Sequence, residues 1–175
     1  MKVVRRLLAS LTLVGLILSP AVRPAAAAEW GGIEPGVTTI EEVRARFGAP
    51  SKESRQKIEG YDTIEWVYED ARAPEGIQRM TVGYGLLTPQ GYKQTVVRVL
   101  QLEPKLNIFG PNTVREAWGV PDGVSTHNDQ ETLYYKSGLI VTMNKEGNQA
   151  VLLSFTVPQP EQPPTSPAAP AAPKR

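Results

Sequence analysis

The spacing of apolar positions divides the middle of the chain into two similar halves. In "TTIEEVRARFGAP" (38–50), Ile40, Val43 and Phe47 fall on one helical face. Thr39 with Glu42 three residues on fits a capping box. Gly48 stands where a helix needs a left-handed residue to end, and Pro50 blocks its continuation. "GPNTVREAWGVP" (110–121) has the same layout: Pro111 suits the first turn, Val114, Ala117 and Trp118 make the apolar face, and Gly119 and Pro121 end it. Both stretches predict helices too short to persist alone in water. Phe47 and Trp118 are therefore the expected anchors that dock them.

Strand-like runs follow each helix. "TIEWVYED" (63–70) alternates, with Ile64, Trp66 and Tyr68 on one face and Glu65, Val67 and Glu69 on the other. "IQRMTVGY" (77–84) and "TVVRVLQL" (95–102) come next. The second half repeats the order with "TLYYK" (132–136), "GLIVTMN" (138–144) and "AVLLSFTV" (150–157), and "KEGN" (145–148) reads as a hairpin turn. Val43/Val114, Arg44/Arg115, Gly48/Gly119 and Pro50/Pro121 are identical pairs, Trp118 answers Phe47, and Leu133-Tyr134-Tyr135 answers Trp66-Val67-Tyr68. A helix ending in Gly-x-Pro is common by chance; the repeated strand order behind it argues for duplication. The expected fold class is α+β: two tandem helix-plus-three-stranded antiparallel units, with the helices on one side of the sheet.

"PGVTTIEEVRARFGAP" (35–50), followed by "WVY" (66–68), resembles the SmpA/OmlA (BamE-like) domain. Gly36, Thr38, Val43, Phe47, Gly48, Pro50, Trp66 and Tyr68 stand at the places of that domain's Gly-x-Thr turn, short helix, Gly-x-Pro stop and aromatic strand. The likeness spans residues 33–102; the second half shares only the helix, Gly119, Pro121 and the strands. Two such units in tandem are also similar in layout to beta-lactamase inhibitory proteins. The resemblance implies an exported, non-enzymatic protein-binding module of the bacterial cell envelope, of the outer-membrane assembly type. The alternative it implies is a secreted inhibitor of an extracytoplasmic enzyme. A small-molecule sensor is a weaker third class, because no pocket motif is visible.

The two ends of the chain bear on location. Lys2, Arg5 and Arg6 precede an apolar run, Leu7 to Val22, and then small residues, the order of a secretory signal peptide with its cut between Ala28 and Glu29. The run is short for a membrane span and Pro20 interrupts it. Residues 158–175 hold seven prolines and no aromatic or branched apolar residue, the composition of a loose Pro/Ala-rich tail. The expected organisation is a signal peptide (1–28), a first unit (29–104), a degenerate second unit (105–157) and the tail (158–175). Without residues 1–28 the chain carries fifteen Lys and Arg against eighteen Asp and Glu. That mild, dispersed charge argues against a nucleic-acid partner. The chain has no cysteine, so disulfides and a lipidated N-terminus are excluded. The expected location is periplasmic or secreted, with no integral membrane segment after cleavage.

Candidate chemistry is sparse. His127, in "STHNDQE", has no serine placed for a triad, and that loop lacks the spacing of a calcium site. Glu65 and Glu69 share a strand face, about 13 Å apart, too far for a glycosidase pair. "GYGLL" (83–87) lacks the residues of a phosphate loop. The expectation is a protein that is not an enzyme, with no cofactor and no metal. Two features suit the binding of another envelope or secreted protein. One is the loop "GLLTPQGY" (85–92), with Leu86, Leu87 and Tyr92 either exposed or tucked under a helix. The other is the sheet face away from the helices, where period two places Val67, Val97, Val99 and Tyr134. Tyr134 is its expected anchor.

Overall fold

The computed structural model describes residues 27–158. Most of the expected signal peptide and nearly all of the expected tail lie outside the described residues. Among the described residues, no helix is long and apolar enough to cross a membrane.

The elements run α1 (Ile40–Phe47), β1 (Lys52–Ile58), β2 (Tyr61–Glu69), β3 (Ile77–Thr88), β4 (Gly91–Pro104), α2 (Pro111–Trp118), β5 (Gly123–His127), β6 (Gln130–Tyr134), β7 (Leu139–Met143) and β8 (Ala150–Thr156). The strands form a single eight-stranded sheet in the order β1-β2-β3-β4-β8-β7-β6-β5, antiparallel throughout. The expected pair of helix-plus-three-stranded units is therefore incorrect. Each helix is followed by four strands, and the two meanders join edge to edge through β4 and β8 into one sheet. The strands missed were the outermost, β1 and β5. Every residue of β1, "KESRQKI", is exposed, so neither of its faces carries the buried alternation by which a strand is recognised. β5 is five residues long and mostly exposed.

One face of the sheet meets the helices and holds the core. Trp66, Val82, Leu100, Phe155 and Leu139 lie in one cross-strand row, and Tyr68, Met80, Leu102, Leu153 and Val141 in the next. All of them are buried to 1 % exposure or less. The helix residues that enter this core completely are Val43 and Val114, at 0 % and 1 % exposed. Phe47 and Trp118 are only half-buried. Phe47 lies parallel to Trp30 and edge-on to Tyr68, and Trp118 packs between Phe109 and Phe155. The expected aromatic anchors thus lie at the helix ends, and the smaller valines fill the centre.

The echoed sequence has a local cause. The capping box at Thr39 forms, with the Glu42 carboxylate accepting from the Thr39 N–H at 2.7 Å. α1 stops at Gly48 and α2 at Gly119, at φ 75° and 82°, where a side chain would be strained. The carbonyl each glycine exposes accepts a phenol: Tyr68 Oη donates to Gly48 O at 3.1 Å and Tyr135 Oη to Gly119 O at 3.4 Å. A helix end is thereby tied to β2 in the first half and to the residue just after β6 in the second. A strap before α1 spans both halves. The Ala28 N–H donates to Ser137 O at 2.8 Å, and the Gly36 N–H donates to Val97 O at 2.8 Å.

Candidate functional site

The face turned away from the helices is the candidate surface. Strand registers place Lys52, Val67, Thr81, Gln101, Ser154, Ile140, Tyr134 and Gly123 in one row that crosses all eight strands. No described helix or strap lies across it. Tyr134 is 42 % exposed, and its hydroxyl accepts from Ser125 Oγ at 3.3 Å. Gln101 Nε2 donates to Ser154 Oγ at 3.5 Å across the seam between the two meanders.

Three of the four sequence-predicted face residues lie where expected. Val67 and Val99 are half-buried on this face, and Tyr134 is exposed on it. Val97 is not on this face: it is 0 % exposed in the helix-side core, opposite Tyr84. The register slips between Gly83–Val99 and Tyr84–Val97, leaving Arg98 as an extra residue in β4. Such a bulge reverses the alternation of every residue before it. The local mark of the slip is Arg98 itself: alternation counted back from Leu102 and Leu100 would place its charge in the helix-side core.

The predicted loop 85–92 is also corrected. β3 and β4 continue as a hairpin through a two-residue turn at Pro89 and Gln90. Leu86 is half-buried, near Gly36 and Val157, and Leu87 is 56 % exposed. Tyr92 stacks on Tyr61 at 4.7 Å between ring centroids, and its hydroxyl donates to the Asp62 carbonyl. Gly85, at φ 99°, leaves room for that phenol, since a Cβ there would collide with Tyr92 Oη. The structure does not bring Leu86, Leu87 and Tyr92 together with Tyr134 into one site, and Tyr92 is committed to fastening the hairpin.

Charge distinguishes the two ends of the open face. On β1–β4 it carries a ladder: Lys52 Nζ lies 2.5 Å from Glu69, Arg79 lies 3.1 Å from Glu69, and Arg79 lies 3.8 Å from Glu103. The hydrogen bond from Lys52 holds the Glu69 carboxyl below its ordinary range, and Arg79 adds to the effect. On β5–β8 the same face presents Ser125, Thr132, Tyr134, Ile140, Thr142 and Ser154, and no Asp, Glu, Lys or Arg. Of these, sequence reasoning found only Tyr134. Isolated Ser and Thr positions mean little singly; their shared freedom from charge emerges once the registers align them.

His127 lies exposed at the end of β5, opposite Gln130. Among the described residues, no group of three or more His, Cys, Asp or Glu is placed to hold a metal ion.

No family model and no curated protein matches the chain. Among solved structures it is similar to the crystal structure of a DUF4309 family protein (YjgB) from Bacillus subtilis subsp. subtilis str. 168, at 14 % sequence identity and a TM-score of 0.46. That likeness covers 72 % of this chain and 82 % of the other. The resemblance to the SmpA/OmlA (BamE-like) domain and to tandem inhibitor layouts is not upheld. No family model supports it, and the three-stranded unit on which it rested is replaced by four-stranded meanders fused into one sheet.

Proposed function

We propose that the chain is an exported, non-enzymatic protein-binding module that holds another envelope or secreted protein on the open face of its sheet, centred on Tyr134. The observation that carries this reading is the charge-free half of that face. A solvated sheet face ordinarily alternates charged and polar residues, as β1–β4 do here. Interface centres are depleted in charge and enriched in tyrosine, because desolvating an ion is costly while a phenol buries its ring and keeps a hydrogen bond. The proposed export rests on the order of basic, apolar and small residues at the N-terminus.

A photoreactive phenylalanine in place of Tyr134, compared with the same residue in place of Lys52, tests the reading in cells of the source organism. Position 134 should yield a discrete cross-linked partner after export, and position 52 should not. Cross-links from position 52 alone, or a product retaining the signal peptide, would overturn it. If the captured partner is an extracytoplasmic enzyme whose turnover falls on binding, the same face serves an inhibitor.

A further inference from the structure

The grooves between helix and sheet occupy equivalent places in the two halves and are filled differently. In the first half Trp66 lies beneath α1 at 1 % exposure. The Arg44 guanidinium lies 4.9 Å from its ring centroid, its indole N–H donates to Glu53 Oε2 at 3.0 Å, and Tyr84 packs edge-on at 5.1 Å. A recess of about 160 Å³ remains, bounded by Ile40, Glu41, Arg44 and Trp66.

Each of these residues has a counterpart across the repeat. Glu53 pairs with Trp66 in register as Val124 pairs with Leu133. Val82 lies opposite Trp66 as Val141 lies opposite Leu133, and two residues further along stand Tyr84 and Met143. Arg44 and Arg115 occupy the same position of their helices. The second half therefore keeps the arginine and replaces the indole with leucine, the phenol with methionine and the carboxylate with valine. Between α2 and β5–β6 lies a cleft of about 150 Å³, close in size to the recess of the first half, lined by Val114, Arg115, Val124, Glu131, Leu133 and Met143 among others. Val124 is 55 % exposed there.

We infer that this cleft binds an aromatic side chain of a partner protein, presented on an extended segment laid beside β5. The same frame holds an indole in the first half, under an arginine. Arg115 forms no ion pair among the described residues, and it stands where a guanidinium covers a ring face. The outer edge of β5 can donate and accept backbone hydrogen bonds to an added strand. The opposite edge is guarded by Lys52, Glu53, Arg55 and Lys57, whereas β5 contains no Asp, Glu, Lys or Arg. Residues 1–26 and 159–175 contain no Phe, Trp or Tyr to supply the ring. This site lies on the helix side, so it stands or falls separately from the reading of the open face.

The test is a titration of the isotope-labelled mature protein with N-acetyl-tryptophanamide, read by amide chemical shifts. The probe should saturate at about millimolar concentration, shifting Val124, Leu133 and Met143, and N-acetyl-leucinamide should bind at least about tenfold more weakly. Arg115→Ala should weaken the tryptophan probe several-fold and leave the leucine probe unchanged. The double variant Leu133→Trp with Val124→Glu, which rebuilds the first half's arrangement, should abolish the response while keeping a folded spectrum. Absence of shifts at those three amides, equal binding of both probes, or no effect of Arg115→Ala would overturn the inference. So would a wild-type dimer that the tryptophan probe dissociates, since the occupant would then be a second copy.

Discussion

The first half of the molecule and the second share a backbone plan and differ in what they place on it. β1–β4 are 7, 9, 12 and 14 residues long, and β5–β8 are 5, 5, 5 and 7. The first half buries Trp66, Tyr68 and Tyr84 completely and carries an ion ladder across its open face. The second has leucine and methionine at two of those three core positions and strands whose outer face carries no Asp, Glu, Lys or Arg. Aromatic burial contributes stability, and exposed apolar and uncharged surface contributes recognition. The buried aromatic groups and the ion pairs are thus concentrated in one half, and the uncharged outer face in the other.

The largest expected effect lies in the core. Trp66→Ala removes a fully buried indole and should destabilise by about 3–5 kcal/mol. Leu133→Ala, at the equivalent but half-buried position, should lose only about 1–2 kcal/mol. Denaturant midpoints at constant slope measure both. Equal losses would break the comparison by showing that the second half is as tightly packed as the first.

The tyrosines that clasp the helix ends should differ less. Tyr68→Phe removes a 3.1 Å hydrogen bond and Tyr135→Phe a 3.4 Å one, so each should lose about 0.5–1.5 kcal/mol, Tyr68 the more. Burial pushes the Tyr68 phenol up to about 12. The unfolded chain ionises this phenol first, near its ordinary value of about 10. Stability from Tyr68 is therefore complete below pH about 10 and lost as pH rises from there to about 12. Thermal midpoints measured across that interval should fall less steeply in Tyr68→Phe than in wild type.

The smallest effect concerns Glu53, which has no acidic counterpart in the second half. The hydrogen bond from the Trp66 indole, and then Arg55, hold its carboxyl below the ordinary range. Its contribution is present above the unfolded value of about 4.3 and lost as pH falls below that value, through the lowered folded one. Glu53→Gln should cost under about 1 kcal/mol at neutral pH, since the group is partly exposed. The difference between variant and wild type should vanish at acid pH. A difference that persists in acid would show that the glutamate acts by packing and not by charge.

Much of this organisation was legible in the chain. Thr39 and Glu42 cap α1 as their spacing indicates, Gly48 and Gly119 end the helices, and the six predicted strand runs all lie on observed strands. The failures have two physical causes. β1 and β5 are edge strands with little buried surface, and periodicity reports burial rather than backbone pairing. The second cause is the bulge at Arg98, which changes the face of Val97; the arginine that alternation would place in the core is its one mark in the chain. The cleft was half-legible. The replacement of Trp66 by Leu133 could be read in the alignment of the halves, but its meaning required Val124, Arg115 and Met143 to be placed around it.

The seam between the meanders sets the order in which the chain can assemble. Every strand pairing except β4–β8 joins neighbours in sequence, and β4–β8 brings Leu102 to Leu153 and Val99 to Thr156. The strap reaches further still, from Ala28 to Ser137. Hairpins close over short loops and form early, whereas contacts between distant residues must first overcome the entropy of a long loop. The pairings within each meander can therefore form before the seam between them closes. The strap's contact with Ser137 waits until the second meander exists, so the first described residues of the chain are among the last to reach their final place.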